Sequence, residues 1–456
     1  QGTSPGSTPA HTPAPPHTTV PAMTGLTDSA QLQQFVKDKE VVGLCVSGGL
    51  DSKTVALRMK KQGVNVICFT ADIGQPDEED INDVAKKMAP CGVETVIVDL
   101  KEDMAEACFD CVLAQAKYDG GYWQSTGIGR YVTCRGLIQA MKERKVTVLS
   151  HGATGRGNDQ LRFERYTNVL DPTMKVYAPW RDAQLLQDFA GRAQMLEYLK
   201  QNNIGHSIVS SSTKRYSTDA NMAGLSNEAE DLESLETAMT IVQPVMGKWP
   251  HDKGVVHQTV VMRFEAGRCV KLATGKDLPA KPMTPLEVMV LANKLAGESG
   301  IGLVHALENR VLGTKSRGVY ESPGMELLGR GLELVYQAVL DRRSSQLFKY
   351  LSAHVSDQIY DGRYFDPSTQ ASMTGIRHLA QAAKGTIILE LYAGNMYFVA
   401  LKDCPHSVYV EADASMEASE GLNPVSSQGF CEVCSVEAKA LANADLIKAN
   451  TRAKPY

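Results

Sequence analysis

The chain has 456 residues, of which 43% are hydrophobic and 22% charged, the make-up of a globular protein of two or three domains. A net charge of −5 and a pI near 6.1 leave no basic footprint for nucleic acid or an anionic membrane. No run approaches the roughly 18 apolar residues of a membrane span, and no basic-then-apolar leader opens the chain, so a cytoplasmic protein is expected. Residues 1–25 hold six of the twenty prolines and no charged residue. Such a stretch buries too little apolar surface to order itself and is expected to be a disordered tail. Its opening Gln-Gly, with no initiator Met, reads as a processed end.

From residue 26 to about 203, the strand-like runs "VVGLCV", "VNVICFT", "ETVIVDL" and "VTVLS" alternate with helical segments such as "DEEDINDVAKKMA" and "GLIQAMKERK". That alternation predicts a parallel sheet with crossover helices, an α/β nucleotide-binding domain over 26–203. Ligands on such sheets sit at the carboxyl ends of the strands. The rule points to the loop after Val46, to Thr70-Ala71-Asp72, to the loop before Ile128, and to "HGATGRGND". Beyond 204 the pattern changes. "HQTVVMRFEAGRCVKLATG" reads as a hairpin with Ala-Gly at its turn, and "GTIILELYAGNMYFVALK" as another. "TPLEVMVLANKLAG" reads as a helix capped by Thr284, with Pro285 in the first turn and Glu287 completing a capping box. An α+β domain over 204–415 and a C-terminal helical arm over 416–456 are expected, the arm either docking locally or joining subunits.

Two of the ten cysteines' spacings are CxxC: Cys108–Cys111 and Cys431–Cys434. The first pair extends the apolar stripe Met104, Val112 at helical spacing, and the second lacks a His or further CxxC to complete a zinc site. Both are read as core thiols, and no metal site is expected.

The loop "SGGLDSKT" between the first strand and its helix carries the chemistry. Counted from Gly48, the P-loop's second glycine should fall at 53, which is Lys53, and adjacent Gly48-Gly49 also break the dinucleotide fingerprint. Adjacent glycines still let backbone approach an anion, a helix start adds free N–H groups, and Ser47 and Ser52 add hydroxyls. Asp51 beside phosphate needs a cation between them, so it either helps to place Mg²⁺ carried by the nucleotide or caps the helix.

"SGGLDS" resembles the PP-motif of the N-type ATP pyrophosphatases, which cut ATP between its α- and β-phosphates. "FTADIGQPDEED", "GGYWQSTGIGR", "GNDQLRFE", "YSTDANMAGLSNEAEDLE", "VMRFEAG", "LENRVLGTKSRGVYESPG" and "FDP" are similar, in order, to motifs of the argininosuccinate synthase family, its longer bacterial type above all. The resemblance implies a PP-loop fold and a ligase that joins L-citrulline to L-aspartate. ATP serves as a substrate with Mg²⁺, AMP and pyrophosphate leave, and no tightly bound cofactor is expected. It further implies a citrullyl-AMP intermediate, a place in arginine biosynthesis and a homotetramer. Residue by residue, it implies nucleotide contacts at Cys45, Val46, Ser47, Gly48, Gly49, Leu50, Asp51, Ser52, Lys53, Ala71, Gly152, Thr154, Asp159 and Asp219. Citrulline contacts are implied at Tyr122, Asn158, Arg162, Ser217, Ser226, Glu228, Glu308 and Tyr320. Aspartate contacts are implied at Thr154, Asn158 and Asp159, and no dedicated catalytic acid or base is named. Physically, Glu228 and Glu308 suit an ammonium, Arg162 and Asn158 a carboxylate. The family loop is usually SGGLDTS, so Lys53 departs from it; either it donates to the pyrophosphate, or it faces solvent and Thr54 supplies the hydroxyl. Arg156 is either a phosphate ligand or a solvated loop residue, and His151 is read as structural rather than as a base. The rival readings are a tRNA-thiolating enzyme using a CxxC pair, and a nucleotide-binding or structural oligomer without activity.

Overall fold

The computed structural model describes residues 28–153, 157–204, 216–417 and 421–447. The first half runs α1 (Ala30–Lys37), β1 (Val41–Cys45), α2 (Leu50–Lys61), β2 (Asn65–Asp72), α3 (Asp83–Met88), β3 (Glu94–Asp99) and α4 (Lys101–Ala114). It continues through a small hairpin, β4 (Lys117–Tyr118) and β5 (Tyr122–Trp123), to α5 (Ser125–Glu143), β6 (Val148–Ser150), α6 (Asp159–Leu170), β7 (Lys175–Tyr177), α7 (Ala183–Asp188) and α8 (Arg192–Gln201). The larger sheet has strand order β3-β2-β1-β6-β7, all pairs parallel. Alternate strand residues face opposite ways. Val42, Leu44, Val66 and Cys68 therefore join a core with residues of α2 and α8, while Phe69 and Leu149 join the main core on the other face.

The second half holds β8 (Ser217–Asn221), β9 (Gly224–Glu228), β10 (Gln258–Glu265), β11 (Arg268–Thr274), α9 (Pro285–Glu298), β12 (Leu303–Asn309) and β13 (Lys315–Glu321). It then adds α10 (Pro323–Val339), α11 (Arg342–Tyr360), α12 (Pro367–Ala380), β14 (Gly385–Tyr392) and β15 (Asn395–Lys402). Two antiparallel sheets result, β11-β10-β14-β15 and β12-β13-β9-β8. Both expected hairpins are present, and each turns on an Ala-Gly pair with positive φ, Ala266-Gly267 and Ala393-Gly394, matching the right-handed strand twist. Thr284 and Glu287 form the expected capping box on α9. Met104, Cys108 and Cys111 of α4 pack in one core with Met262 of β10 and Leu328 of α10, so the two halves share a single apolar interior.

Three expectations need correction. The segment "DEEDINDVAKKMA" is helical only over Asp83–Met88, because the Asp80 carboxylate accepts from the Asn82 N–H at 2.9 Å and turns the chain first. The last helix runs over Ser426–Asn443, starting earlier than "CSVEAKALANADLIKAN", and none of its residues is buried. Cys431 and Cys434 on it are exposed and so are not core thiols, whereas Cys108 and Cys111 are fully buried.

Candidate active site

A cavity of about 730 Å³ opens where the carboxyl ends of β1, β2 and β6 meet the sheet β12-β13-β9-β8. All four loops singled out by the strand-end rule reach it, through Val46 and Ser47, Thr70 and Ala71, Thr126, and Gly152 with Asn158.

At one end lies the turn from β1 into α2. Gly48 has φ +75°, a conformation that favours glycine, and Gly49 is the helix N-cap with no side-chain cap. The first N–H groups of a twelve-residue helix are thus left without an intrahelical partner at the cavity. The Ser47 N–H donates to the Ser52 hydroxyl at 3.1 Å, which closes the loop and leaves that hydroxyl's own proton for a ligand. Asp51 lies inside the first turn rather than at the cap, lines the cavity, and has its carboxyl pushed up by burial. Cys45 and Ala71 also line this end, and Gln75 shapes it by donating to the Ala71 carbonyl at 2.9 Å while accepting from the Ile73 N–H at 3.0 Å.

Lys53 does neither of the two things expected of it. Its side chain is 3% exposed and does not line the cavity, and burial lowers its pKa. None of the described ion pairs includes it; it lies near Cys91 and Lys87. Thr54 does not supply a hydroxyl either, since its side chain donates back to the Leu50 carbonyl at 2.9 Å. Gly48, Gly49 and Leu50 shape the loop without lining the cavity wall.

The other end is built from both halves. Tyr122, Asn158, Asp159 and Arg162 come from the first, and Ser217, Asp219, Ser226, Glu228, Glu308 and Tyr320 from the second. Arg162 donates through Nε to the Tyr360 carbonyl at 2.8 Å and through Nη1 to Asp159 Oδ1 at 2.9 Å, leaving Nη2 to face a ligand. Asn158 is gripped at both ends of its amide, donating to the Tyr360 hydroxyl at 2.8 Å and accepting from the Val311 N–H at 3.0 Å. Burial drives the Asp159 carboxyl upward, but Arg130 and Arg162 overcome it and hold the group well below the usual carboxylate range. Glu228 behaves in the opposite way. Its enclosure, then the nearby Glu308 charge, push its carboxyl up to about 7, with Arg310 Nη2 at 3.2 Å only partly offsetting this. Burial also raises Glu308, which is 5% exposed. Tyr122 and Tyr320 pack with ring centroids 4.1 Å apart, and the buried Tyr320 hydroxyl lies beside the Glu308 and Glu228 carboxyls. Two reluctant carboxylates beside a buried hydroxyl make a site shaped for a cationic, hydrogen-bonding ligand.

Thr154 and Arg156 lie outside the described residues. His151 is fully buried, stacked on Phe163 at 5.1 Å, and does not line the cavity. Burial and then Arg181 push it down to about 4, so it is neutral near pH 7. Among the cavity residues that carried no role in the sequence reading are Arg130, Arg310 and Tyr360, which hold the site's carboxylates and Asn158. The first two end or sit within the quoted motifs "GGYWQSTGIGR" and "LENRVLGTKSRGVYESPG"; Tyr360 lies just ahead of "FDP".

The family model for the Arginosuccinate synthase N-terminal HUP domain matches residues 41–205, and that for the Arginosuccinate synthase C-terminal domain matches residues 216–441. The first match covers the parallel sheet and its Gly48-Gly49 loop, the second the sheets that supply Glu228, Glu308 and Tyr320. With both matches in order across most of its length, the chain belongs to the argininosuccinate synthase family, enzymes that form a carbon–nitrogen bond.

Proposed function

We propose that the chain ligates L-citrulline to L-aspartate with ATP, in arginine biosynthesis, through a citrullyl-AMP intermediate. The observation that carries this is the meeting, in one cavity, of an uncapped helix start behind Gly48-Gly49 with a pocket of two raised carboxylates and a clamped arginine. The first suits phosphates, the second a zwitterionic amino acid. In this reading the nucleotide is held by Cys45, Val46, Ser47, Gly48, Gly49, Leu50, Asp51, Ser52, Ala71, Gly152, Thr154, Asp159 and Asp219, without Lys53. Apolar Phe69, Ile73 and Ile81, which line the cavity beside β2, supply a surface for the base. Mg²⁺ usually binds through one or two carboxylates plus substrate phosphates, and Asp51 is one of the carboxylates at that end, with Asp77 and Glu78.

Citrulline's ammonium goes to Glu228 and Glu308, its carboxylate to Arg162 and Asn158, with Tyr122, Ser217, Ser226 and Tyr320 around its length. Its ureido oxygen attacks the α-phosphorus, the bond to the β-phosphate oxygen breaks, and pyrophosphate leaves. The aspartate amine, held by Thr154, Asn158 and Asp159, then attacks the activated carbon. AMP departs with the former ureido oxygen, and the amine proton is released. Asp159 is held too strongly ionised to act as a base near neutral pH, so its part is to accept a hydrogen bond and orient the amine. Most of the protein's contribution is alignment and charge placement.

We extend the proposal to a cytoplasmic homotetramer with no tightly bound cofactor, divided as 26–203, 204–415 and 416–456. All ten cysteines are free, as in reducing compartments, and the exposed Phe430, Val433 and Val436 of the last helix favour assembly. The test is pyrophosphate release from ATP with citrulline and aspartate, added singly and together. Release that requires citrulline, and argininosuccinate only when both are present, is expected; no release under any combination would sink the reading.

A further inference from the structure

Arg130 joins the two halves of the molecule inside the cavity. It stands on α5 with its side chain 15% exposed. Its Nε and Nη2 donate to Asp159 Oδ2 at 3.0 and 2.8 Å, and Nη2 also donates to Asp219 Oδ2 at 2.6 Å. Asp159 opens α6 in the first half, whereas Asp219 belongs to β8 in the second. The guanidinium carbon lies 5.9 Å from the Phe163 ring centroid, so the ring covers one face. The oxygen of Asp159 that Arg130 does not reach takes Arg162 Nη1. Remove Arg130, and two half-buried carboxylates from opposite halves face each other with no cation between them. They then separate, or one takes a proton. A planar fork serves two acceptors at a fixed angle; an ammonium on a flexible stem does not hold that geometry.

We propose that Arg130 is a positioning residue for the ligation: it fixes the spacing of Asp159 and Asp219 across the seam between the halves, and acts through them rather than on a reacting atom. This rests on the reading of those two aspartates as substrate contacts. The charged or titratable groups facing Asp159 are Arg130 and Cys134 from α5, Arg162 from its own helix, and Glu228 from β9. His151, at the end of β6, is neutral, and Asp219 faces it across the Arg130 fork.

The experiment uses the full chain, with steady-state kinetics from pH 5 to 9 and thermal melts, for Arg130→Met, Arg130→Lys, Asp219→Asn and the double variant Arg130→Met/Asp219→Asn. Arg130→Met lowers kcat/KM for aspartate by about 100-fold, as expected for one partner removed from a buried charge pair. With citrulline saturating, it also moves the acid limb of the kcat/KM profile for aspartate up into the measured range, because burial drives the Asp159 carboxyl upward once the nearer of its two cations is gone. Arg130→Lys lowers the rate but keeps the limb where it is. Adding Asp219→Asn to Arg130→Met returns the limb toward wild type, so the two effects do not multiply. A role in packing alone would lower the melting temperature and leave the limb in place. An unmoved limb in folded Arg130→Met, or a double variant equal to the product of its parts, overturns the proposal. If Arg130→Met does not fold, Arg130→Gln carries the same comparison. If the wild-type chain shows no ligation, the site reading fails by itself. ATP binding by calorimetry over the same pH range then decides Arg130, with the same upward shift expected and its absence fatal.

Discussion

The pocket proposed for citrulline predicts a pH-dependent KM controlled by Glu228. In the empty site its carboxyl sits at about 7, raised first by enclosure and then by Glu308, against the attraction of Arg310. Asp159 and Asp219 push in the same direction from α6 and β8. An ammonium is attracted by the ionised form only. With a pKa near 7, the ionised share falls from about nine-tenths at pH 8 to about one-eleventh at pH 6, so KM for citrulline rises about tenfold over that span. The sign for stability follows from the same proton. Because the folded pKa exceeds the usual glutamate value of 4.5, the empty folded protein binds the extra proton between about pH 4.5 and 7, and this site costs stability as pH rises through that window. Citrulline therefore protects against melting most strongly above pH 7. The assay is initial rates at saturating ATP and aspartate, pH 6 to 8.5, at constant ionic strength. Glu228→Gln removes the acid-side rise and leaves KM high throughout; Arg310→Met, which removes the opposing cation, moves the rise to higher pH. A KM that changes less than twofold between pH 6 and 8, or a Glu228→Gln enzyme that keeps the rise, refutes the reasoning.

Other changes have equally specific outcomes. Glu308→Ala loses a charge-assisted hydrogen bond of roughly 1.5–3 kcal/mol, so citrulline is handled about 10- to 150-fold less well while ATP affinity, measured by calorimetry, stays within about threefold. Lys53→Met removes a buried cation that sits outside the cavity: the melting temperature rises at pH 7 and the KM for ATP is unchanged, whereas a weakened KM would restore its phosphate role. Since burial lowers the Lys53 pKa, the wild type gains stability as pH rises through that lowered value, and Lys53→Met abolishes this gain. Gly48→Ala forces a side chain onto φ +75° and against Lys87 at 3.3 Å, a strain of about 1–3 kcal/mol, and weakens ATP binding more than citrulline binding. Replacing Cys108 and Cys111 together by Ala lowers the melting temperature but not pyrophosphate release, while Cys431→Ser with Cys434→Ser leaves both unchanged in the monomer.

The parallel half was legible because its strands are short apolar runs separated by longer stretches of mixed apolar and charged residues, so the change of pattern marks each crossover. The strand-end rule then found four loops that do meet at one cavity. Chemistry further along the chain was legible only through motif likeness, since nothing in the spacing of Glu228 and Glu308 says that β9 and β12 flank the same strand, β13. Lys53 was misread because α2 has no polar face to reveal its orientation. Thr54, Val55, Ala56, Leu57, Arg58 and Met59 are all buried, so a lysine there reads as exposed by residue type alone. Arg130 and Tyr360 escaped notice because their partners, Asp219 and Asn158, lie 89 and 202 residues away. The last helix has the apolar content of a packed helix but no buried residue, so composition pointed to a core that the chain by itself does not provide.

The division of the cavity wall between two halves has a consequence for synthesis of the protein. A chain leaving the ribosome completes the Gly48-Gly49 loop and Arg162 long before Asp219, Glu228, Glu308 and Tyr360 emerge. A half-made chain therefore carries one wall of the cavity without the other, and the faces of α4 and α5 that the second half covers in the shared interior stay open to water.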